Sequence, residues 1–113
     1  MSGISTHILD TSLGRPAAGV SVTLELSEGN SWRELSTQIT DEDGRVKQML
    51  GSNAQLESGA YRLTFRTQEY FDTRGLQGLY PVVQITFTVT DSAGYYHIPL
   101  LLTANGYSTY RGS

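Results

Sequence analysis

Two histidines, His7 and His97, are the side chains of this 113-residue chain whose ordinary titration lies near neutral pH. Any proton transfer at pH 7 falls first to them. There is no cysteine, which excludes thiolate nucleophiles, thiolate zinc sites, iron–sulfur clusters and disulfide frameworks. A metal site on two histidines so distant in sequence would need carboxylate help, and nothing in their spacing supports one. The Walker loop, the dinucleotide fingerprint, the His-Glu-x-x-His pair and the Gly-x-Ser-x-Gly elbow are all missing. Gly106-Tyr107-Ser108 begins like an elbow, but Tyr110 stands where the second glycine belongs, and the context runs strand to strand.

On spacing alone, His7 between Thr6 and Ile8 reads as an ordinary solvent-facing strand residue. His97 is different, because it sits in the apolar run Tyr95-Tyr96-His97-Ile98-Pro99-Leu100. An imidazole there must be hydrogen-bonded or lie in a cleft, since burying it unpaired is costly. Arg45 follows Asp43-Gly44 and reads as an exposed turn arginine paired with Asp41 or Asp43, a contact worth little energetically. Arg62 and Arg66 share a strand face with Thr64 and read as solvated.

The elements that must carry these groups are strands. Alternation of period two dominates the chain. It marks Ile4 to Leu9, Val20 to Leu26, Trp32 to Thr40, a short strand from Arg45, Tyr61 to Phe65, Val83 to Val89, Tyr95 to Thr103 and Tyr107 to Gly112. Asp10 to Gly19 and Leu50 to Gly59 read as loops, Glu28-Gly29-Asn30 and Asp41 to Gly44 as turns, and Asn105-Gly106 as a hairpin signal. Gln68 to Arg74 lacks alternation and suits a short helix, with Tyr70 and Phe71 turned inward. The sum is an all-β fold: an antiparallel β-sandwich of seven or eight short strands with one short helix, in a single domain over 1–113. Leu100-Leu101-Leu102 suggests a strand covered on both faces, the second by another subunit.

Composition narrows the partners. The net charge is −3, with a single lysine and no basic run, a poor match to nucleic acid or an anionic membrane. No apolar run is long enough to span a membrane, and the opening MSGISTHILD lacks the features of an export signal. Arg-Gly-Ser at the end of the chain is not a peroxisomal address. A cytoplasmic location is expected.

Two segments carry a resemblance that extends over essentially the whole chain. Ser5-Thr6-His7-Ile8-Leu9-Asp10-Thr11 with Gly14-Arg15-Pro16-Ala17-Ala18-Gly19-Val20 resembles the opening signature of the transthyretin-related proteins. His97-Ile98-Pro99-Leu100-Leu101-Leu102 with Gly106-Tyr107-Ser108-Thr109-Tyr110-Arg111-Gly112-Ser113 resembles the closing one. Asp43-Gly44-Arg45 and Tyr70-Phe71 match in order and spacing. The tetrapeptide Tyr110-Arg111-Gly112-Ser113 is similar to the mark of the 5-hydroxyisourate hydrolase branch; the hormone-carrying branch lacks it and has replaced the histidines. Leu79 to Val83, Thr103 to Asn105 and Gly51 to Gly59 depart from the family pattern, at loops and strand edges.

The resemblance implies a transthyretin-like fold, a homotetramer built as a dimer of dimers, and active sites in the channel between dimers. It implies hydrolysis of the small molecule 5-hydroxyisourate with no metal or organic cofactor. His7 and His97 would share base and proton-shuttle work, Arg45 would polarise the scissile carbonyl, and Ser113 would hold water or substrate through its hydroxyl or a terminal carboxylate. Tyr110 and Arg111 would fix the tail at the substrate, and Gly112 would let the chain turn into the site. The rival expectation is a carrier binding a small aromatic ligand without turnover.

Overall fold

Alternating polar and apolar residues have one stable outcome in water, a strand with a wet face and a dry one. The computed structural model describes residues 2–51 and 54–113. It holds β1 (Gly3–Asp10), β2 (Arg15–Pro16), β3 (Ser21–Glu28), β4 (Ser31–Ile39), β5 (Arg45–Val46), β6 (Gly59–Phe65), α1 (Thr67–Thr73), β7 (Val83–Val89), β8 (Tyr95–Thr103) and β9 (Gly106–Thr109). Residues 52 and 53 of the expected loop lie outside the described residues. One sheet runs β2-β1-β8-β9, with β5 also paired to β1; the other runs β4-β3-β6-β7. The sheets pack face to face over Ile4 and Ile8, Val22 and Leu24, Leu63 and Phe65, and Leu100, all fully buried. Among the described residues no helix is long and apolar enough to cross a membrane.

The sandwich and the helix follow the sequence pattern, and Tyr70 and Phe71 are buried as expected. One pairing differs. β1 and β8 run parallel, in register from Gly3↔Tyr95 to Asp10↔Leu102, whereas the other pairings among the described strands are antiparallel. Alternation fixes which face a residue takes but not which neighbour its strand chooses. The expected loop after β1 also contains β2, whose Arg15 and Pro16 pair with Asp10 and Leu9.

The hairpin between β8 and β9 falls where Asn105-Gly106 predicts, with another geometry. Thr103 pairs with Gly106, so Ala104 and Asn105 make the turn. Neither has positive φ, and Gly106 opens β9 instead of closing a mirror-image turn. β9 also ends at Thr109, short of the expected Gly112. On β8, Tyr96, Ile98, Leu100 and Leu102 face the core; on its other side Pro99 is buried while His97 and Leu101 are half-buried.

Asp10 closes β1 with its side chain at 0% exposure. It accepts hydrogen bonds from the Tyr70 hydroxyl at 2.7 Å and from Ser12, and it pairs with the Arg74 guanidinium, tying the helix to the sheet. Burial alone would raise its pKa. The hydrogen bonds from Ser12 and Tyr70, the Arg74 charge and the Leu13 N–H together hold it below the ordinary carboxylate value. Burial and the Asp10 carboxylate push the Tyr70 phenol up to about 12.

Candidate active site

Residues paired across a ladder point to the same face of the sheet. In β1, Ile4, Thr6, Ile8 and Asp10 point inward and are buried, so Ser5 and His7 take the outer face. Register then places Ser5 beside His97, and His7 beside Pro99 on one side and Arg45 on the other. Five residues from three separate stretches of chain thus share the outer face of one sheet.

Arg45 reaches that position through the turn before it. Gly44 has φ +73°, and a Cβ built on it would stand 2.5 Å from the Ile8 carbonyl oxygen. Only glycine allows the turn to press this closely on β1, where its own carbonyl accepts the Ile8 N–H at 2.8 Å. The Asp41 carboxylate accepts the backbone N–H groups of Arg45 and Asp43, each at 2.9 Å. The Arg45 N–H is the main reason its pKa lies below the ordinary value. The expected pairing therefore runs to the Arg45 backbone; its guanidinium joins no ion pair among the described residues.

His97 meets both conditions its apolar setting demands. Its Nδ1 is hydrogen-bonded to Ser5 Oγ at 2.7 Å, and the ring lines a cleft. Burial is the main cause that holds its pKa below the ordinary imidazole value; the charges of Arg45 and His7 add to it. The neutral ring is therefore the dominant form at neutral pH. The tail returns to the same place: the Gly112 N–H donates to the His97 carbonyl at 2.8 Å, an isolated bridge outside β9. Arg111 anchors the tail, its guanidinium 4.3 Å above the Tyr96 ring.

The cleft has a volume of about 160 Å3 and is lined by Ser5, Arg45, Lys47, Tyr95, His97 and Ser113, among others. Of the residues singled out in the sequence, it brings together Arg45, His97 and Ser113. His7 is half-buried on the same face, opposite Arg45, but does not line this cleft. Tyr110 and Arg111 line a separate depression with Ile85, Phe87 and Ile98, and Arg111 meets the cleft wall through the Tyr95 carbonyl, to which its guanidinium donates at 3.5 Å. Chain direction is the reason for the separation: β9 ends at Thr109, and only Gly112 and Ser113 come back to His97. Sequence reasoning missed Ser5, Lys47 and Tyr95. Parity could have found Ser5, which stands two residues from His7 on the same strand face. Tyr95 donates its hydroxyl to the Lys47 carbonyl at 3.0 Å and joins two walls of the cleft.

The arrangement offers a neutral imidazole, a guanidinium with no ion pair among the described residues, and a hydroxyl around one small space. That set can orient water, stabilise an oxyanion and handle a proton. Among the described residues no three metal-ligating side chains converge.

Residues 4–112 match a family model described as the HIUase/Transthyretin family. The chain is 44% identical over 110 residues to the 5-hydroxyisourate hydrolase of Salmonella typhimurium, covering 97% of this chain and 80% of that protein. The solved 5-hydroxyisourate hydrolase of Klebsiella pneumoniae superimposes with a TM-score of 0.87 at 40% identity, covering 100% of both chains. Transthyretin from Sparus aurata shares the fold at a TM-score of 0.90 but only 25% identity, covering 99% of this chain and 97% of that one.

Proposed function

The chain belongs to the HIUase/transthyretin family, and we infer that it hydrolyses 5-hydroxyisourate. Water attacks a cyclic amide and opens the six-membered ring, giving 2-oxo-4-hydroxy-4-carboxy-5-ureidoimidazoline in urate degradation. The observation that carries this reading is the 44% identity to a 5-hydroxyisourate hydrolase over nearly the whole chain. The carrier reading is less favoured, because the transthyretin match stands at 25% identity. The cleft's polar set also suits hydrolysis better than the binding of an aromatic ligand.

In this proposal His7 and His97 handle the protons, Arg45 polarises the scissile carbonyl, and the Ser113 hydroxyl holds water or substrate. Arg45 suits its task because a guanidinium stays charged and offers a planar fork to carbonyl oxygens. Gly112 admits the tail to the site, while Tyr110 and Arg111 fix it from outside. No metal or organic cofactor is required, since the substrate is already reactive.

The working unit is a homotetramer of one-domain chains, a dimer of dimers, in the cytoplasm. Two features support the assembly. Ligand sites usually measure about 300–1,000 Å3, and one protomer offers about 160 Å3. His7 and the half-buried Leu101 also remain on the outer sheet face, where a second subunit would complete the wall. Purified protein added to 5-hydroxyisourate generated by urate oxidase should speed the loss of its absorbance. Decay at the spontaneous rate overturns the assignment. Sedimentation that finds only monomers overturns the tetramer.

A further inference from the structure

Ser5 has no role in the scheme above, yet it is 3% exposed and its hydroxyl meets the ring that lines the cleft. A serine hydroxyl and a neutral imidazole can meet in two ways. If Nδ1 carries the ring proton, it donates to Oγ, Nε2 faces the cleft as a base, and the serine hydrogen needs a different acceptor. If Oγ–H donates to Nδ1, the ring proton resides on Nε2. Ser5 Oγ has no second hydrogen-bond partner among the described residues, and a buried hydroxyl whose hydrogen lacks an acceptor carries a desolvation penalty. The second arrangement satisfies both groups at once.

We propose that Ser5 is a positioning residue that holds His97 as its Nε2–H tautomer, so that His97 presents a hydrogen-bond donor to the cleft and His7 is the base. The proposal rests on the hydrolase reading but revises its proton work, which it gives to His7 alone. His7 takes a proton from water as the new C–O bond forms. The oxyanion receives hydrogen bonds from His97 Nε2–H and from Arg45. His7 then gives its proton to the ring nitrogen as the C–N bond breaks, and His97 transfers none. A neutral donor is the form the site favours, because burial and the neighbouring positive charges disfavour an imidazolium at position 97. Gly112 packs against Cδ2, the ring carbon beside Nε2, and keeps the imidazole from turning.

Nitrogen-15 NMR of the intact protein, labelled at histidine and free of substrate, reads the tautomer directly. The Nε2–H form is expected for His97. Ser5→Ala should give a mixture of tautomers and lower kcat by about 10- to 100-fold, the scale on which metal-ligating histidines respond to loss of an orienting partner, with KM little changed. Ser5→Thr, which keeps the hydroxyl, should retain the tautomer and most of kcat. A wild-type ring protonated at Nδ1 overturns the proposal whether or not the variants fold. So does Ser5→Ala with an unchanged tautomer or an unchanged kcat. The tautomer is read without turnover, so a chain that fails to hydrolyse 5-hydroxyisourate would sink the proposed function while this result stands separately.

Discussion

Gly112 lies so close to His97 that one added carbon would overlap the imidazole: a Cβ built there would stand 2.4 Å from Cδ2 and 3.4 Å from Pro99 Cγ. Both atoms belong to packed rings, so neither yields as the end of a flexible chain would. Gly112→Ala must therefore move the tail, the His97 ring or both. We expect the rate to fall by about 100-fold, the scale of a 1 Å misplacement of a reacting group. Thermal stability should change little, because the tail contributes little to the core. Turnover and melting temperature measured on one preparation test this, and wild-type turnover would refute it.

Arg45 contributes to the depression of the His97 pKa, after burial. In Arg45→Gln the ring should titrate closer to the ordinary value of 6.5 without reaching it, because burial remains. The sign for stability follows. The folded chain keeps His97 neutral where an unfolded chain would protonate it. The group therefore favours folding above about pH 6.5, and loses that advantage as pH falls from there through the folded-state value. An NMR titration of wild type and variant decides the matter; an unmoved or lower His97 pKa contradicts the placement of Arg45.

Gly44→Ala meets two penalties at once. The residue sits at φ +73°, and the new carbon would fall 2.5 Å from a backbone oxygen that accepts the Ala17 N–H. The left-handed conformation alone costs a side-chain-bearing residue about 1–2 kcal/mol. Urea unfolding at fixed protein concentration should show at least that loss, along with reduced turnover as Arg45 leaves the register of His7. Unchanged stability would mean that the turn does not press on β1.

Tyr70→Phe removes one of the hydrogen bonds held by the buried Asp10 carboxylate. The expected loss is about 1–3 kcal/mol at neutral pH, the cost of a buried acceptor short of a partner. Asp10 has a depressed pKa, so its contribution is full above the ordinary carboxylate value and disappears as pH falls through the folded-state value. The gap between wild type and variant should therefore close on acidification. A gap that stays constant into strong acid would show that Asp10 is not its source.

Much of this was legible in the sequence, and the exceptions share a cause. Alternation located β1, β3, β4 and β8 because period two is a local property. The resemblance drew attention to His7, Arg45, His97 and Ser113. What escaped was pairing between distant segments. Ser5 reads as an unremarkable strand serine until His97, its neighbour across the sheet, is known. Asp10 reads as the first residue of a loop, because the partners that make its burial tolerable, Tyr70 and Arg74, come from α1 and the residue after it. Tyr110 adjoins Arg111 in the closing signature, yet the turn back toward His97 begins only after both.

The parallel pairing of β1 with β8 sets a clock. Thr6 and the Ile98 carbonyl it bonds are 92 positions apart. At a synthesis rate of about 5–20 residues per second, β1 waits on the order of 5–20 s after leaving the ribosome before β8 exists to receive it. During that interval β1 has only the two-residue strands β2 and β5 of its sheet to pair with, and Ile4 and Ile8 are open to aggregation and to chaperones. Ser5 and His7 likewise have no cleft to belong to. Catalytic competence is thus a late event in the life of each molecule, and growth conditions that slow translation should lengthen the exposed interval without changing the sequence at all.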